Sequence, residues 1–200
     1  MGNPLFEERY WNALIKEIPN EYGVAALMGS LDAESNLTPF RKQGDMNFTG
    51  GYPDSVTYTN NVDSGVITED SFVNDSIGYG VAQWTYHTRK QGLYDLKKQL
   101  GVSIGDFDLS IKYILQELNT GYKGTLDVLL NAKDIRTPSN YVLHNYEQPT
   151  DQSEAVEILR CELAQTIYNK YHGSTPTPPT PPTPPTPEKK KKMPIWFYLK

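Results

Sequence analysis

The sequence predicts one α+β domain, predominantly α, with about seven helices and a small β-containing lobe. Apolar residues recur at spacings of three and four over residues 4–31 and again from residue 88 to about 171, which is typical of amphipathic helices. Between them, residues 40–75 lack this period and are rich in Gly, Asn, Asp, Ser and Thr, with one short β-like run at Val56-Thr-Tyr-Thr59. With 200 residues, 38% of them hydrophobic, the chain can bury a single sizeable core.

Two helices are predicted at the start of the chain. The first covers residues 4–18, and its apolar face comprises Tyr10, Trp11, Leu14, Ile15 and Ile18. Pro19 and Gly23 mark the turn into the second helix, whose apolar positions are Val24, Leu27, Met28 and Leu31. Glu34 follows on or beside that face, in the last turn before Pro39 rules out continuation.

The chain is predicted to be helical again from Thr88. A helix over 88–100 ends at Gly101, a typical C-cap, and the next helix is capped by Asp106 or Asp108. Its apolar stripe comprises Ile111, Ile114, Leu115 and Leu118.

Three more helices complete the prediction. One covers residues 125–132, and another begins at Thr137-Pro138 with proline in its favoured first position. Asp151 and Glu154 form a variant capping box for the last helix, which runs to about Tyr171. Its predicted stripe comprises Ala155, Ile158, Leu159, Leu163, Ile167 and Tyr171.

Composition excludes several classes of function. The net charge is −5, and residues 174–200 hold five lysines and one glutamate, so residues 1–173 carry −9. An acidic domain is a poor candidate for nucleic-acid binding, which requires a basic surface along the phosphates. The single cysteine, Cys161, and three scattered histidines predict no disulfide, no metal site and no cofactor. The sequence has no apolar run long enough to span a bilayer, and its first residues lack the pattern of a secretory signal.

Glu34 is the strongest candidate for catalysis. Burial beside the apolar face and the negative end of the helix dipole both oppose ionisation of its carboxyl group. A glutamate that stays protonated near neutral pH can act as a general acid and protonate a leaving glycosidic oxygen. The alternative is a solvated glutamate at a frayed helix end.

A second candidate element is the block from Phe72 to Tyr86. Gly78 and Gly80 allow close backbone approach, as the floor of a cleft requires. Aromatic faces edged by hydrogen-bonding groups are suited to gripping sugar rings, and the block supplies Tyr79, Gln83, Trp84 and Tyr86. The alternative is an aromatic core segment ahead of a helix.

These motifs together resemble the phage tail-type lysozyme family, within the lysozyme and lytic transglycosylase superfamily. The resemblance covers residues 8–172 and follows the order of four motifs: Ala33-Glu34-Ser35, the Phe72–Tyr86 block with Gly-Tyr-Gly-Val-Ala-Gln-Trp, Arg89-Lys90-Gln91, and Tyr146-Glu147-Gln-Pro149. It implies a lysozyme-like fold, Glu34 as the catalytic acid, and binding or shaping roles for Tyr79, Gln83 and Trp84. Ser35, next to Glu34, and Tyr86 are also expected to bind the substrate.

The function implied is that of a muramidase that cleaves the β-1,4 bond between N-acetylmuramic acid and N-acetylglucosamine in peptidoglycan. The alternatives are a lytic transglycosylase that forms anhydro-muramyl products, and a non-catalytic phage tail or wall-binding module. We expect such a protein in a phage virion or tail, or released at the bacterial wall as an endolysin, with glycan strands and phage tail proteins as partners.

The second catalytic group is less clearly marked. Asp75 is preferred because it belongs to the block that resembles the family and directly precedes the cleft floor, and Asp63 is the other candidate. Either could instead be a turn carboxylate that accepts backbone hydrogen bonds. Glu147, an acid at a helix end ahead of Pro149, is expected to be a structural link between the last two helices, and the alternative is that it lines the cleft.

Three segments of the chain are predicted. Residues 1–173 form the globular hydrolase domain, and the Thr/Pro repeat at 174–188 forms an extended polyproline linker. Residues 189–200 combine four lysines with an apolar-aromatic end, which is suited to weak contact with an anionic membrane surface or wall polymer. The alternative is a solvated tail.

Overall fold

The computed structural model describes residues 2–45 and 54–173. Within these ranges the chain forms nine α-helices and one π-helical turn, the π-turn, at Leu143–Glu147. The helices are α1 (Glu7–Glu17), α2 (Glu21–Ser35), α3 (Ser55–Asp63), α4 (Glu69–Asn74), α5 (His87–Leu100), α6 (Phe107–Asn119), α7 (Lys123–Leu130), α8 (Arg136–Val142) and α9 (Glu154–Tyr171). The predominantly helical fold is therefore confirmed.

Helix α2 is the centre of the molecule. It is buried on nearly all sides, from Gly23 to Asp32, and contacts α1, α7, α8 and, most extensively, α9. Asn20 caps its first turn by accepting from the Gly23 backbone N–H at 3.1 Å. The same side chain donates to the carbonyl groups of Leu130 and Ala132, which ties the start of α2 to the end of α7.

Glycine makes the contact between α2 and α9 closer than a side chain would allow. A Cβ atom placed on Gly29 would lie 2.6 Å from the backbone N of Ala164. The two helices therefore pack backbone to backbone at this point. The last turn of α2 lies beside Arg160, one turn before Ala164 on α9.

The β-containing lobe is not confirmed. The predicted β-like run at 56–59 lies inside α3, so that assignment was wrong. Asp54 caps this helix by accepting from the Thr57 N–H, and Tyr58 and Val62 face the core. Among the described residues there is no strand, and the extended pairing is limited to two isolated bridges that join Tyr79 to Lys42 and to Trp84. Part of the predicted lobe, residues 46–53, lies outside the described residues.

The boundaries of most predicted helices agree with the structure. Helix α5 ends at Gly101, which is left-handed with φ 67°, and Asp106 caps α6 by accepting from the Leu109 N–H at 2.9 Å. The predicted capping box of α9 was wrong, because Ser153 holds the N-cap position.

The predicted apolar stripe of α9 was also partly wrong. Ile158 and Leu159 are 44% and 49% exposed, whereas Arg160, Ala164 and Ile167 are buried. The buried face of α9 thus includes a cation, and this cation faces the candidate site.

No helix in the described part of the chain is both long and apolar enough to cross a membrane. The predicted linker and tail fall within residues 174–200, which lie outside the described residues.

Candidate active site

A polar cleft of about 480 Å³ lies at the end of α2. Its walls come from four separate parts of the chain. They comprise Glu34, the 41–44 turn, the 78–86 segment with Arg89 beyond it, and residues 147–150 after the π-turn. A concave surface lined by several charged groups is suited to binding a polar ligand and to proton transfer.

Glu34 enters this cleft from the last turn of α2, and its side chain is 20% exposed. The helix stops directly after it, because Asn36 and Leu37 both adopt left-handed backbone angles. Burial raises the pKa of Glu34, although the guanidinium of Arg160, which donates a hydrogen bond to its Oε1, opposes this effect. The sequence prediction that burial disfavours its ionised form agrees with this environment.

Glu147 is a second carboxyl group in the same cleft, which is the alternative that the sequence left open for it. It lies at the end of the π-turn, and its Oε1 atom is buried with no hydrogen-bond partner among the described residues. Burial and the negative charge of Glu34 raise the pKa of Glu147 to about 8. Two carboxyl groups that disfavour each other's ionisation are therefore present at one site.

The sequence marks Glu147 by a signal that it shares with Glu34, although a structural role was preferred for it. Like Glu34, it is an acid at a helix end shortly before a proline, Pro149. The π-turn could not be predicted from the sequence. Such turns are rare and occur frequently at functional sites.

Glu117 organises the floor beneath the cleft. It accepts from Arg89 at 2.6 and 2.8 Å, from Trp84 Nε1 at 2.9 Å and from the Tyr146 hydroxyl at 2.7 Å. Arg89 also donates to the Tyr146 carbonyl at 3.3 Å, and its guanidinium lies over the Tyr146 ring. These bonds hold the π-turn, and with it Glu147, against α5 and α6.

The glycine-containing block shapes the opposite wall. Gly80, at φ 80°, lies so close to the Trp84 ring that a Cβ atom would be 2.6 Å from it. Gln83 is itself left-handed, at φ 46°, and its Nε2 donates to the carbonyl oxygens of Arg41 and Gly80. The tight turn places Gln83 in the cleft wall, as predicted.

Two of the five predicted substrate-binding residues line the cleft, namely Gln83 and Tyr86. Tyr86 is 66% exposed and provides an aromatic face among the described residues that line the cleft. Tyr79 and Trp84 are buried in the core, where their polar atoms bond Thr59 and Glu117.

Ser35 is the fifth predicted residue, and it is also buried. It donates to the Leu31 carbonyl at 3.0 Å inside its own helix. Its contacts, like those of Tyr79 and Trp84, support the wall of the cleft without reaching its surface.

The structure does not bring the predicted second carboxylates to the cleft. Asp75 accepts hydrogen bonds from Tyr58, from the buried Lys90 and from the Ile77 N–H, so its oxygens are occupied in structural contacts. Among the described residues that line the cleft, neither Asp75 nor Asp63 is present.

Asp63 is at the end of α3, beside a different surface depression. It accepts from Ser103 and from the Ile104 N–H, and Lys97 lies 3.4 Å away. These bonds fasten the segment before α6 to α3.

No group of His, Cys, Asp and Glu side chains in the described ranges is arranged to hold a metal ion. Among the described residues that line the cleft, Glu34 and Glu147 supply carboxyl groups and Arg41, Lys42 and Arg89 supply cations, a set suited to acid–base chemistry.

Comparison with protein families shows to which class of proteins this chain belongs. The family model described as phage tail lysozyme matches residues 6–171. The chain belongs to the phage tail lysozyme family. This membership confirms the resemblance seen in the motifs and places the protein among phage-associated, lysozyme-like proteins that lyse peptidoglycan. No match is found among proteins with curated descriptions.

Proposed function

We propose that this member of the phage tail lysozyme family is a muramidase, with Glu34 as the general acid. Its substrate is the glycan strand of peptidoglycan, cleaved at the β-1,4 bond between N-acetylmuramic acid and N-acetylglucosamine. The observation that carries this proposal is the half-buried carboxyl group of Glu34 in a cleft, with its pKa raised by burial.

The reaction begins with proton transfer from Glu34 to the glycosidic oxygen, as positive charge develops at the sugar carbon. Once its proton is lost, Glu34 is an anion, and Arg160 is already positioned to stabilise that charge. Gln83 and Tyr86 line the same cleft and offer an amide and an exposed aromatic face to the sugar rings.

Substitution of Glu34 tests this proposal. Glu34→Gln keeps the shape of the side chain but cannot donate an acidic proton, so we expect cell-wall lysis to fall by about 10²- to 10⁴-fold. Clearing of a gel that contains purified peptidoglycan, together with turbidity loss in solution, measures the effect. Glu154→Gln is a matched control, because Glu154 is exposed at the start of α9 and does not line the cleft.

Equal lysis by wild type and Glu34→Gln would contradict the role of Glu34. Absence of lysis by the wild-type protein, combined with binding to purified walls, would favour the alternative of a non-catalytic wall-binding module.

A further inference from the structure

We propose that Glu147 is the second catalytic carboxyl group, acting as the general base that activates the attacking hydroxyl while Glu34 protonates the leaving oxygen. This inference rests on the proposed function and deepens it.

The placement of Glu147 is the first argument. It lines the same cleft as Glu34 but comes from a different element, the π-turn, so two separate parts of the chain bring their carboxyl groups to one site. The 78–86 segment and Arg41 complete the enclosure around them.

The hydrogen bonding of Glu147 is the second argument. Structural carboxylates in this protein are satisfied: Glu117 accepts from three side chains, and Asp75 accepts from two side chains and one backbone N–H. Glu147 differs, because its buried Oε1 has no partner among the described residues. An unpaired buried carboxyl oxygen costs stability and calls for an explanation, of which a catalytic role is one.

The surrounding charges are the third argument. Four charged groups act on Glu147, namely Glu34, Arg89, Arg160 and Glu117. Each arginine is hydrogen-bonded to another carboxylate, Arg160 to Glu34 and Arg89 to Glu117. Arg41 and Lys42 also line the cleft. Within the set that acts on Glu147, however, the two arginines already face two carboxylates, so the pair Glu34 and Glu147 holds a single proton near neutral pH.

The proposed step conserves that proton. At rest the proton lies on Glu147, because burial and the charge of Glu34 raise its pKa to about 8, whereas Arg160 favours ionised Glu34. In the reactive form the proton has moved to Glu34 and Glu147 is ionised. Glu34 gives its proton to the leaving oxygen as the C1–O bond breaks, and Glu147 takes a proton from the attacking hydroxyl as the new C1–O bond forms. The attacking group is water in hydrolysis, or the 6-hydroxyl of the muramyl residue in transglycosylation. The pair holds one proton before and after the step.

The dependence of activity on pH tests this role. We expect a bell-shaped profile for the wild type, because only the singly protonated pair is active. Glu147→Gln should lower the rate at pH 7 by about 10²-fold or more. It should also replace the bell by a single descending limb, since no base then has to ionise. Turbidity loss of purified walls at constant ionic strength from pH 4 to 9 gives these profiles.

Rescue by a small anion provides a second, independent readout. In Glu147→Ala the space left by the carboxyl group should admit azide, which attacks C1 without needing a base, while Glu34 still protonates the leaving oxygen. We expect azide to increase the rate at least tenfold and to yield a glycosyl azide visible by mass spectrometry. Neither should occur in the exposed control variant Glu154→Ala.

The inference is overturned if Glu147→Gln keeps the bell-shaped profile, whatever its rate, or if Glu147→Ala shows no azide product. In both cases the proposed function stands as long as Glu34→Gln is inactive. Circular dichroism spectra and thermal melting of each variant show that it is folded. An active Glu34→Gln would instead remove the proposed function itself.

Discussion

At the residue scale, the site depends on the balance between two carboxyl groups and the cations around them. Burial raises the pKa of both Glu34 and Glu147, and Arg160 opposes the effect at Glu34 through a direct bond. This arrangement leaves the shared proton on Glu147 at rest, and the reactive form is reached when that proton moves to Glu34. It also makes the folded state sensitive to pH.

Glu147 should make the free energy of unfolding fall as pH rises. Its pKa is about 8 in the folded protein, against about 4.3 in an unfolded chain, so between these values the folded state retains a proton that the unfolded state loses. Stability therefore decreases from about pH 4.5 to pH 8 and then levels off. Glu147→Gln lacks this loss, and we expect it to be more stable than the wild type by roughly 2 kcal/mol or more at pH 9, with little difference at pH 4.

Urea unfolding of the two proteins across this pH range measures the effect. A difference in stability that does not change with pH would contradict the buried, uncompensated state of Glu147.

Arg160 should influence the pH profile of activity through Glu34. Arg160→Met removes the cation that favours ionised Glu34, so we expect the pKa of Glu34 to rise and the alkaline limb of the profile to move to higher pH. The maximum rate should fall by about 10- to 100-fold, because the product-state anion loses its partner. Arg160→Lys keeps the charge and serves as the conservative control, and an unshifted alkaline limb in Arg160→Met would contradict this role.

The sequence predicted the chemistry of single residues better than their exposure. Glu34, Gln83 and Tyr86 line the cleft as predicted, whereas Tyr79 and Trp84 are core residues. A tyrosine or tryptophan has the same chemical character in a core and in a sugar-binding wall, so composition and motif cannot distinguish the two locations. Only the packing of the surrounding helices decides whether such a side chain lies in the core or in the cleft wall.

At the element scale, the close packing of α2 on α9 positions the catalytic carboxyl group. Gly29→Ala would push a methyl group against the backbone of Ala164, so we expect a loss of stability of about 1–3 kcal/mol or more. Because Glu34 and Arg160 lie beyond this contact, lytic activity should fall as well. Gly121→Ala is the matched control, because a Cβ atom there meets no atom within 4 Å.

Thermal melting and turbidity loss of both variants test this packing. Equal stability of Gly29→Ala and Gly121→Ala would contradict the close packing, because it would show that α2 and α9 can move apart at this point without a loss of stability.

Helix ends were predicted well where one residue has a local physical role, as at Asp106 and Gly101. The prediction of a β-like run at 56–59 was wrong, because the preference of β-branched residues for strands is weak. A capping aspartate, Asp54, and an inward face formed by Tyr58 and Val62 outweigh that preference. Tertiary contacts, which the local sequence does not contain, therefore decided that this segment is a helix and not a strand.

At the scale of the whole molecule, the cleft joins segments that are far apart in the chain. Arg160 and Glu34 are separated by 126 positions, and Arg89 and the Tyr146 carbonyl by 57. No local pattern predicts such contacts, although the order of the motifs indicated the family that the match over residues 6–171 confirms. The contact of residues 189–200 with a membrane surface or wall polymer stays a prediction.

The chemical structure of the fragments released from purified peptidoglycan tests the central claim most directly. Mass spectrometry of the soluble products should show glycan strands cut after N-acetylmuramic acid, with intact peptides, for the wild type and not for Glu34→Gln. Reducing muramyl ends would identify a hydrolase, and anhydro-muramyl ends a transglycosylase that uses the same two carboxyl groups. Products cut only in their peptides, or cut after N-acetylglucosamine, would contradict the account.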